Sequence, residues 1–485
     1  MSNIVVLGGG ISGLAATYYL SSLLPATTIT LVEQSSRWGG WIESIKRPNP
    51  QTNTQILFER GPRTLRPSGL PGAITLDLVH KIGLERNILK VPKTSPAARN
   101  RFLYYKSQIN ALPHSLSSLI TSNAPATKGI IASGISEPFR RKAHVHDETI
   151  HSFISRRFGN HVADTLISSV VQGIWAGDAK NLSVKSTFTS LWDAERKFGS
   201  VVLGMLLNKP PKVDLRELCG GDEDEMRFIT DVQETCSVYS FKDGMQEIPD
   251  ALVGVLSKRK NVEMKLGVGC QELRVKGDSI EVKLSDSTHK SASHIISSIP
   301  IPSLSRILPQ SIPKTDLSAI PYVDVCVINL AYASPNILPI DGFGYLIPPS
   351  ENESILGVVF DSCALPQQDQ VPMTRVTVMM GGHAFKAKFG EVDDVSNERL
   401  LQVALEALSR HLGIKEEPID VVVGVQRQCI PQYVLGHADR MGNIRKALDE
   451  WSGNRISFIG AADGGVGLND CIKSARDTVM TKFKQ

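Results

Sequence analysis

The stretch Ile4-Val5-Val6-Leu7-Gly8-Gly9-Gly10-Ile11-Ser12-Gly13, continued by an apolar run to Leu24, decides the fold. A short β-branched run feeding a glycine loop and then a helix opens a dinucleotide-binding βαβ unit. The spacing Gly8-x-Gly10-x-x-Gly13 puts one glycine at the tight turn, one where backbone approaches a pyrophosphate and one where helix packs on strand. Gly8, Gly9, Gly10, Ile11, Ser12 and Gly13 are therefore the expected phosphate cradle, beneath a helix N-terminus whose free N–H groups and dipole favour an anion. A second apolar strand runs from Thr28 to Val32 and ends at Glu33, twenty residues past Gly13. An acid there accepts hydrogen bonds from a ribose and repels a 2′-phosphate.

The next residues narrow the ligand. Glu33-x-x-x-Arg37-x-Gly39-Gly40 extends the unit with an arginine suited to phosphate charge and two glycines that let backbone lie along a long ligand. This extension resembles the signature of amine-oxidase-like flavoproteins, which hold FAD extended and buried.

At 485 residues the chain exceeds one compact domain. Its 41% hydrophobic and 21% charged content is that of an ordinary globular protein. A net charge of +4 is too mild to argue for nucleic acid. Seven scattered cysteines contain no C-x-x-C pair and form no disulfide framework; Cys471 reads as a packed thiol. No uncharged apolar run approaches the length of a membrane span. The first strand begins at Asn3, so no cleavable presequence is expected.

The expected fold class is α/β: a Rossmann-like cofactor domain assembled from discontinuous segments, an α+β substrate-binding domain and a mainly helical, membrane-associated domain. The cofactor domain takes residues 1–92, 233–302 and 455–485. The second piece carries strands at Val262–Leu266, Cys270–Val275 and Ile280–Leu284, then a buried strand stopped by Pro300. The third repeats strand, glycine turn and helix at Arg455–Gly467. Residues 93–232 read as mainly helical. Residues 303–454 hold period-two stretches at Val323–Leu330, Gly342–Ile347, Leu356–Phe360 and Arg375–Met379, then a helix near Asn397–Leu412. The acidic run Gly221–Glu225 reads as a solvated loop tip.

Further anchors are Gly39-Gly40-Trp41-Ile42, Gly61-Pro62-Arg63, Asn100-Arg101-Phe102-Leu103-Tyr104, Gly342-Phe343-Gly344-Tyr345-Leu346, Cys429-Ile430-Pro431-Gln432-Tyr433 with Gly436-His437, and Asn469-Asp470-Cys471-Ile472. On these the chain resembles the mitochondrial, eukaryote-like protoporphyrinogen oxidases within the FAD-dependent flavin amine oxidase superfamily. The resemblance implies non-covalent FAD, with Glu33 and Gln34 at its ribose and Gly40, Trp41, Gly61, Pro62, Arg63 and Thr64 along the flavin. It also implies Ala461, Val466, Gly467 and Leu468 at the ring end and Cys270, or Val268, at adenine. Gly460-Ala461 stands where the superfamily commonly has Gly-Asp, which leaves more phosphate binding to backbone N–H groups.

The resemblance further implies that Arg101 meets a substrate propionate and that Phe343, Gly344, Leu346 and Met379 wall the tetrapyrrole against the flavin. An apolar macrocycle with two carboxylates asks for such a slot, with a guanidinium at its rim. The implied reaction is oxidation of protoporphyrinogen IX to protoporphyrin IX in three two-electron steps, with dioxygen reduced to hydrogen peroxide, in heme synthesis. No acid–base residue is identified; His437 and His383 read as structural. Implied partners are a membrane surface, a second copy of the chain and ferrochelatase, at the intermembrane-space side of the mitochondrial inner membrane. Leu112–Ile131 and Arg140-Arg141-Lys142 are the expected lipid-facing segments. Two other readings are an amine or polyene oxidase, disfavoured because Ala461–Leu468 holds no aromatic residue, and a flavin-free escort protein, disfavoured by Glu33 and Arg37-x-Gly39-Gly40.

Overall fold

The computed structural model describes residues 3–113, 118, 124–208 and 212–484. A five-stranded parallel sheet runs in the order Ile456–Phe458, His294–Ser297, Asn3–Leu7, Thr28–Glu33 and Val262–Leu266. The first strand of the chain is thus central, and both its faces are covered. Ile4 and Val6 point into one core with helices Ile11–Leu23, Glu247–Leu256 and Leu468–Phe483. Val5 and Leu7 point into another, beneath the antiparallel strands Cys270–Lys276, Ser279–Leu284 and His289–Ala292. Side chains alternate across a strand, so an unbroken apolar run is what a strand buried on two faces requires. Leu14 and Leu20 are fully buried on the first helix, each contributing about 1.5–3 kcal/mol.

The second sheet has seven strands, in the order Asp420–Pro431, Tyr322–Tyr332, Thr374–Gly381, Ile355–Phe360, Gly344–Leu346, Arg101–Tyr105 and Gln108–Leu112. One face packs Cys326, Ile328, Leu330, Val376, Val378 and Met380 against Leu400, Ala404 and Leu408 of helix Asn397–Leu412. The opposite face carries Val323, Val325 and Val327, with Thr377 and Met379 one residue out of phase with that core.

Three readings of the sequence are corrected here. Residues 101–112, assigned to the helical insertion, form a hairpin that joins the second sheet through parallel pairing of Phe102 with Tyr345. Its turn, Lys106-Ser107, has both φ values at +56°, the geometry of a tight hairpin without its usual glycine. Helix Ile301–Ile307 crosses the boundary drawn at 302, and helix His437–Ser452, assigned to residues 303–454, packs with the other lobe. The first packs on strand Cys270–Lys276 and the second on strand Ile456–Phe458 of the parallel-sheet lobe. The acidic run is a helix start: Asp222 Oδ1 accepts the N–H groups of Asp224 and Glu225, both at 3.0 Å, and helix Glu223–Thr235 follows. Glu225 itself is buried beside Asp77 and Lys81, where burial first and Asp77 second push its carboxyl up to about 8.

Part of the expected lipid-facing segment, including Leu116, Leu119 and Ile120, lies outside the described residues. Among those described, no helix is long and apolar enough to cross a membrane. All seven cysteines are free thiols, and Cys471 is buried as expected.

Candidate active site

The first glycine loop is shaped by contacts that leave no room for a side chain. A Cβ on Gly13 would lie 1.9 Å from the Gly8 carbonyl oxygen, and one on Gly9 would strike the Trp38 ring at 2.4 Å. Glu33 folds back over the loop, its Oε2 accepting the Gly9 N–H at 2.6 Å and its Oε1 the Ser35 N–H at 2.8 Å. Its remaining lone pairs stay open to ribose hydroxyls. Gln34 packs against Gly269, and the Val268 N–H donates to the Glu33 carbonyl at 2.8 Å. The segment leading to Cys270 is thereby brought beside the acid.

Arg37 departs from its expected role. Its guanidinium donates to the carbonyls of Gly40 and of Ile42 (2.8 Å) and pairs with Glu43 at 3.5 Å. The left-handed Gly39 and Gly40 (φ +111° and +60°) curl the loop back on Arg37. Arg37 therefore holds the loop that pairs Gly39 with Gly10, rather than presenting a free cation to phosphate.

Gly61 sits so close to Trp41 that a Cβ would lie 1.9 Å from the Trp41 carbonyl. Arg63, two residues on, is nearly buried and pairs through Nε with Asp361 at 3.2 Å, while its Nη2 has no hydrogen-bond partner among the described residues. Asp361 is fixed by the Thr377 hydroxyl at 2.6 Å. Thr377 and Met379 lie on the same face of strand Thr374–Gly381. Glu59 anchors this segment from below, accepting the Met245 N–H at 2.7 Å and the Ser44 hydroxyl at 2.8 Å. Burial pushes its carboxyl up to about 7.

The second glycine loop, Gly460–Gly467, leads into helix Leu468–Phe483. A Cβ on Gly460 would come within 3.4 Å of Ser12 Oγ, so the two glycine loops lie side by side. Neither helix that follows has a side-chain cap, which leaves both sets of N-terminal N–H groups for a ligand. Val466 packs with Ile430 and Val434 against the helical insertion, and Leu468 packs on the parallel-sheet core.

Of the residues expected on the substrate side, Arg101 and Phe343, distant in sequence, meet. The Arg101 guanidinium lies over the Phe343 ring, 4.5 Å from its centroid. The Phe343 N–H donates to the Asn100 carbonyl at 3.2 Å. Among the described residues no carboxylate pairs with Arg101; burial and the nearby Arg66 charge both push its pKa down. That is the condition of a cation awaiting an anion. Gly344 has φ +134°, and a Cβ there would lie 2.1 Å from the Val358 carbonyl, so the strand can pass only with glycine. Leu346 rests on Gly173 of the helical insertion. Sequence reading missed Asp361 and Thr377, which no local pattern marks, and gave Asn469, inside a quoted anchor, no role of its own; it donates to the Arg66 carbonyl at 2.8 Å, while its buried Oδ1 has no partner among the described residues.

The cradle fits an extended dinucleotide through side-chain-free approaches at Gly9, Gly13 and Gly61, uncapped helix starts, and polar atoms at Arg63 and Asn469 without partners among the described residues. Residues 11–480 match the model of a family described as flavin containing amine oxidoreductase. The chain is 38% identical over 489 residues to a protoporphyrinogen oxidase of Homo sapiens, covering 99% of this chain and 98% of that one. It is 34% identical to a protoporphyrinogen oxidase of Schizosaccharomyces pombe, covering 98% and 97%. A crystal structure from Exiguobacterium, provisionally named a protoporphyrinogen oxidase, superimposes with a TM-score of 0.80 at 22% identity, covering 100% of this chain and 99% of the other.

Proposed function

This chain belongs to the flavin containing amine oxidoreductase family, and from that premise we propose that it oxidises protoporphyrinogen IX to protoporphyrin IX. The cofactor is FAD. When bound, it supplies two-electron acceptance from a carbon donor and reoxidation by dioxygen. The overall balance is one protoporphyrinogen and three dioxygen giving one protoporphyrin and three hydrogen peroxide.

The observation that carries this reading is the Arg101 guanidinium held over Phe343 and paired with no carboxylate among the described residues. Arg101 grips a propionate bidentately at the rim. Phe343, Leu346 and Met379 supply the apolar wall, and Gly344 lets the backbone come close to the macrocycle. The wall excludes water from the bridge carbon that gives up hydride. His437 is buried, and burial lowers its pKa to about 4, which keeps its imidazole neutral.

A membrane surface is part of the same proposal, and exposed apolar side chains beside the expected Arg140 and Arg141 support it. Ile135, Phe139, Met205, Leu206 and Leu207 are all exposed, Phe139 to 86%, on short elements that pack together in the helical insertion. The cations Arg140 and Arg141 adjoin them. Flotation with anionic vesicles, lost in Phe139→Ser/Leu206→Ser, tests this.

The functional reading is tested by aerobic assay. Porphyrin fluorescence should rise with three peroxides formed per porphyrin. Absence of oxygen consumption with protoporphyrinogen present would sink it.

A further inference from the structure

The geometry points to Tyr433, with His437 stacked behind it, as a positioning residue that shapes the second glycine loop for the ring end of FAD and ties it to the helical insertion. The inference rests on the FAD assignment above and extends it to two residues outside every nucleotide-binding motif.

Tyr433 follows strand Asp420–Pro431 and is 2% exposed. Its hydroxyl donates to the Ala461 carbonyl at 2.5 Å and accepts the Gly465 N–H at 3.1 Å. One oxygen therefore clamps both limbs of a turn in which Gly464 and Gly465 have φ +92° and +135°. The ring stacks on His437, with centroids 4.0 Å apart and planes at 11°. His437 is itself buried, and its Nε2 lies 3.0 Å from the Ala462 carbonyl. A carbonyl only accepts, so the imidazole carries its proton on Nε2. The stacked pair thus fixes two consecutive carbonyls, Ala461 and Ala462, and with them the direction of the following N–H groups.

The same segment is bonded to the insertion that packs beneath Leu346. The Ser183 N–H donates to the Tyr433 carbonyl at 2.7 Å, Gln432 Nε2 to the Trp175 carbonyl at 2.9 Å, and the Gly436 N–H to Asp147 Oδ2 at 3.0 Å. Gln432–Gly436 is therefore hydrogen-bonded to the insertion on one side and to the glycine loop on the other. A loop rich in glycine has many conformations of its own; side chains from elsewhere select one. Removing the hydroxyl leaves a half-buried carbonyl and a half-buried N–H without this partner.

Tyr433→Phe keeps the ring and its stack and removes only the hydroxyl. Holoenzyme diluted into buffer should release fluorescent FAD about tenfold faster than wild type, and the shoulders of the bound flavin's visible band should flatten. KM for protoporphyrinogen should stay within about twofold, because Arg101 and Phe343 are untouched. His437→Phe, which preserves a stack but loses the Nε2–H donor, should accelerate release about threefold. Release and spectrum identical to wild type in both variants would overturn the assignment, whatever the substrate. Failure of protoporphyrinogen to react with wild type, with release still Tyr433-dependent, would overturn the substrate reading and leave this one standing.

Discussion

The two glycine loops of the parallel-sheet lobe lie side by side, and each leads from a parallel strand to a helix without a side-chain cap, yet they are held by different means. Gly8–Gly13 is held by its own backbone and by Glu33, at the end of the next strand. Gly460–Gly467 is held by Tyr433 and His437, which come from beyond a different sheet. A loop that grips a pyrophosphate needs one fixed shape, which close backbone contacts supply locally. A loop that meets the end of the cofactor facing substrate is fastened to the elements that cover the substrate.

The comparison can be broken most sharply at Gly13. Gly13→Val places carbon atoms into the Gly8 carbonyl; we expect FAD affinity to fall roughly hundredfold or more, at a cost of about 3 kcal/mol, and the protein to purify colourless. Retention of stoichiometric flavin would show that the first loop is not the cradle. Arg101→Ala separates donor from acceptor. It should raise KM for protoporphyrinogen about thirtyfold, as loss of a charge-assisted pair of about 2 kcal/mol, with FAD release unchanged. Equal loss of both would mean that Arg101 supports the fold rather than the substrate.

Arg37→Ala asks whether side chains matter at the first loop as they do at the second. Because the guanidinium serves the loop's own carbonyls, an increase in FAD Kd of about threefold is expected, measured by equilibrium titration. A loss as large as that of Gly13→Val would mean that Arg37 reaches phosphate after all. The last prediction concerns stability rather than binding, at Glu59, below the Gly61 segment. Its folded carboxyl titrates at about 7 against an ordinary 4.5. The folded protein therefore holds a proton that the unfolded chain has released between those values. Stability from this group is full below 4.5, declines as pH rises and is lost above 7. Glu59→Gln should flatten that decline in the melting temperature; an unchanged slope would assign it to other groups.

The strand–loop–helix–strand–acid order was legible because each member lies within one βαβ unit, and helix Asn397–Leu412 was legible because its apolar face repeats. Arg37 was misread because the choice between phosphate and the loop's own carbonyls depends on how Gly39 and Gly40 turn the chain. Glu225 looked solvated in a run of four acids until Asp222 became a helix cap and turned it inward. Arg101 and Phe343 were each visible as candidates, but their contact spans two pieces of chain that the second sheet brings together. Tyr433 stood inside a quoted motif without a role, since its hydroxyl partners lie 28 and 32 residues further on. Local chemistry is readable in order; what one loop owes to a distant strand is not.

The central claim is that electrons pass from a tetrapyrrole walled by the second sheet to FAD held by the first. Anaerobic mixing of holoenzyme with protoporphyrinogen IX, followed in the visible flavin band, tests it most directly. The account predicts rapid loss of that band in wild type and, at limiting substrate, a much slower loss in Arg101→Ala. A flavin that stays oxidised in the presence of excess protoporphyrinogen would contradict it.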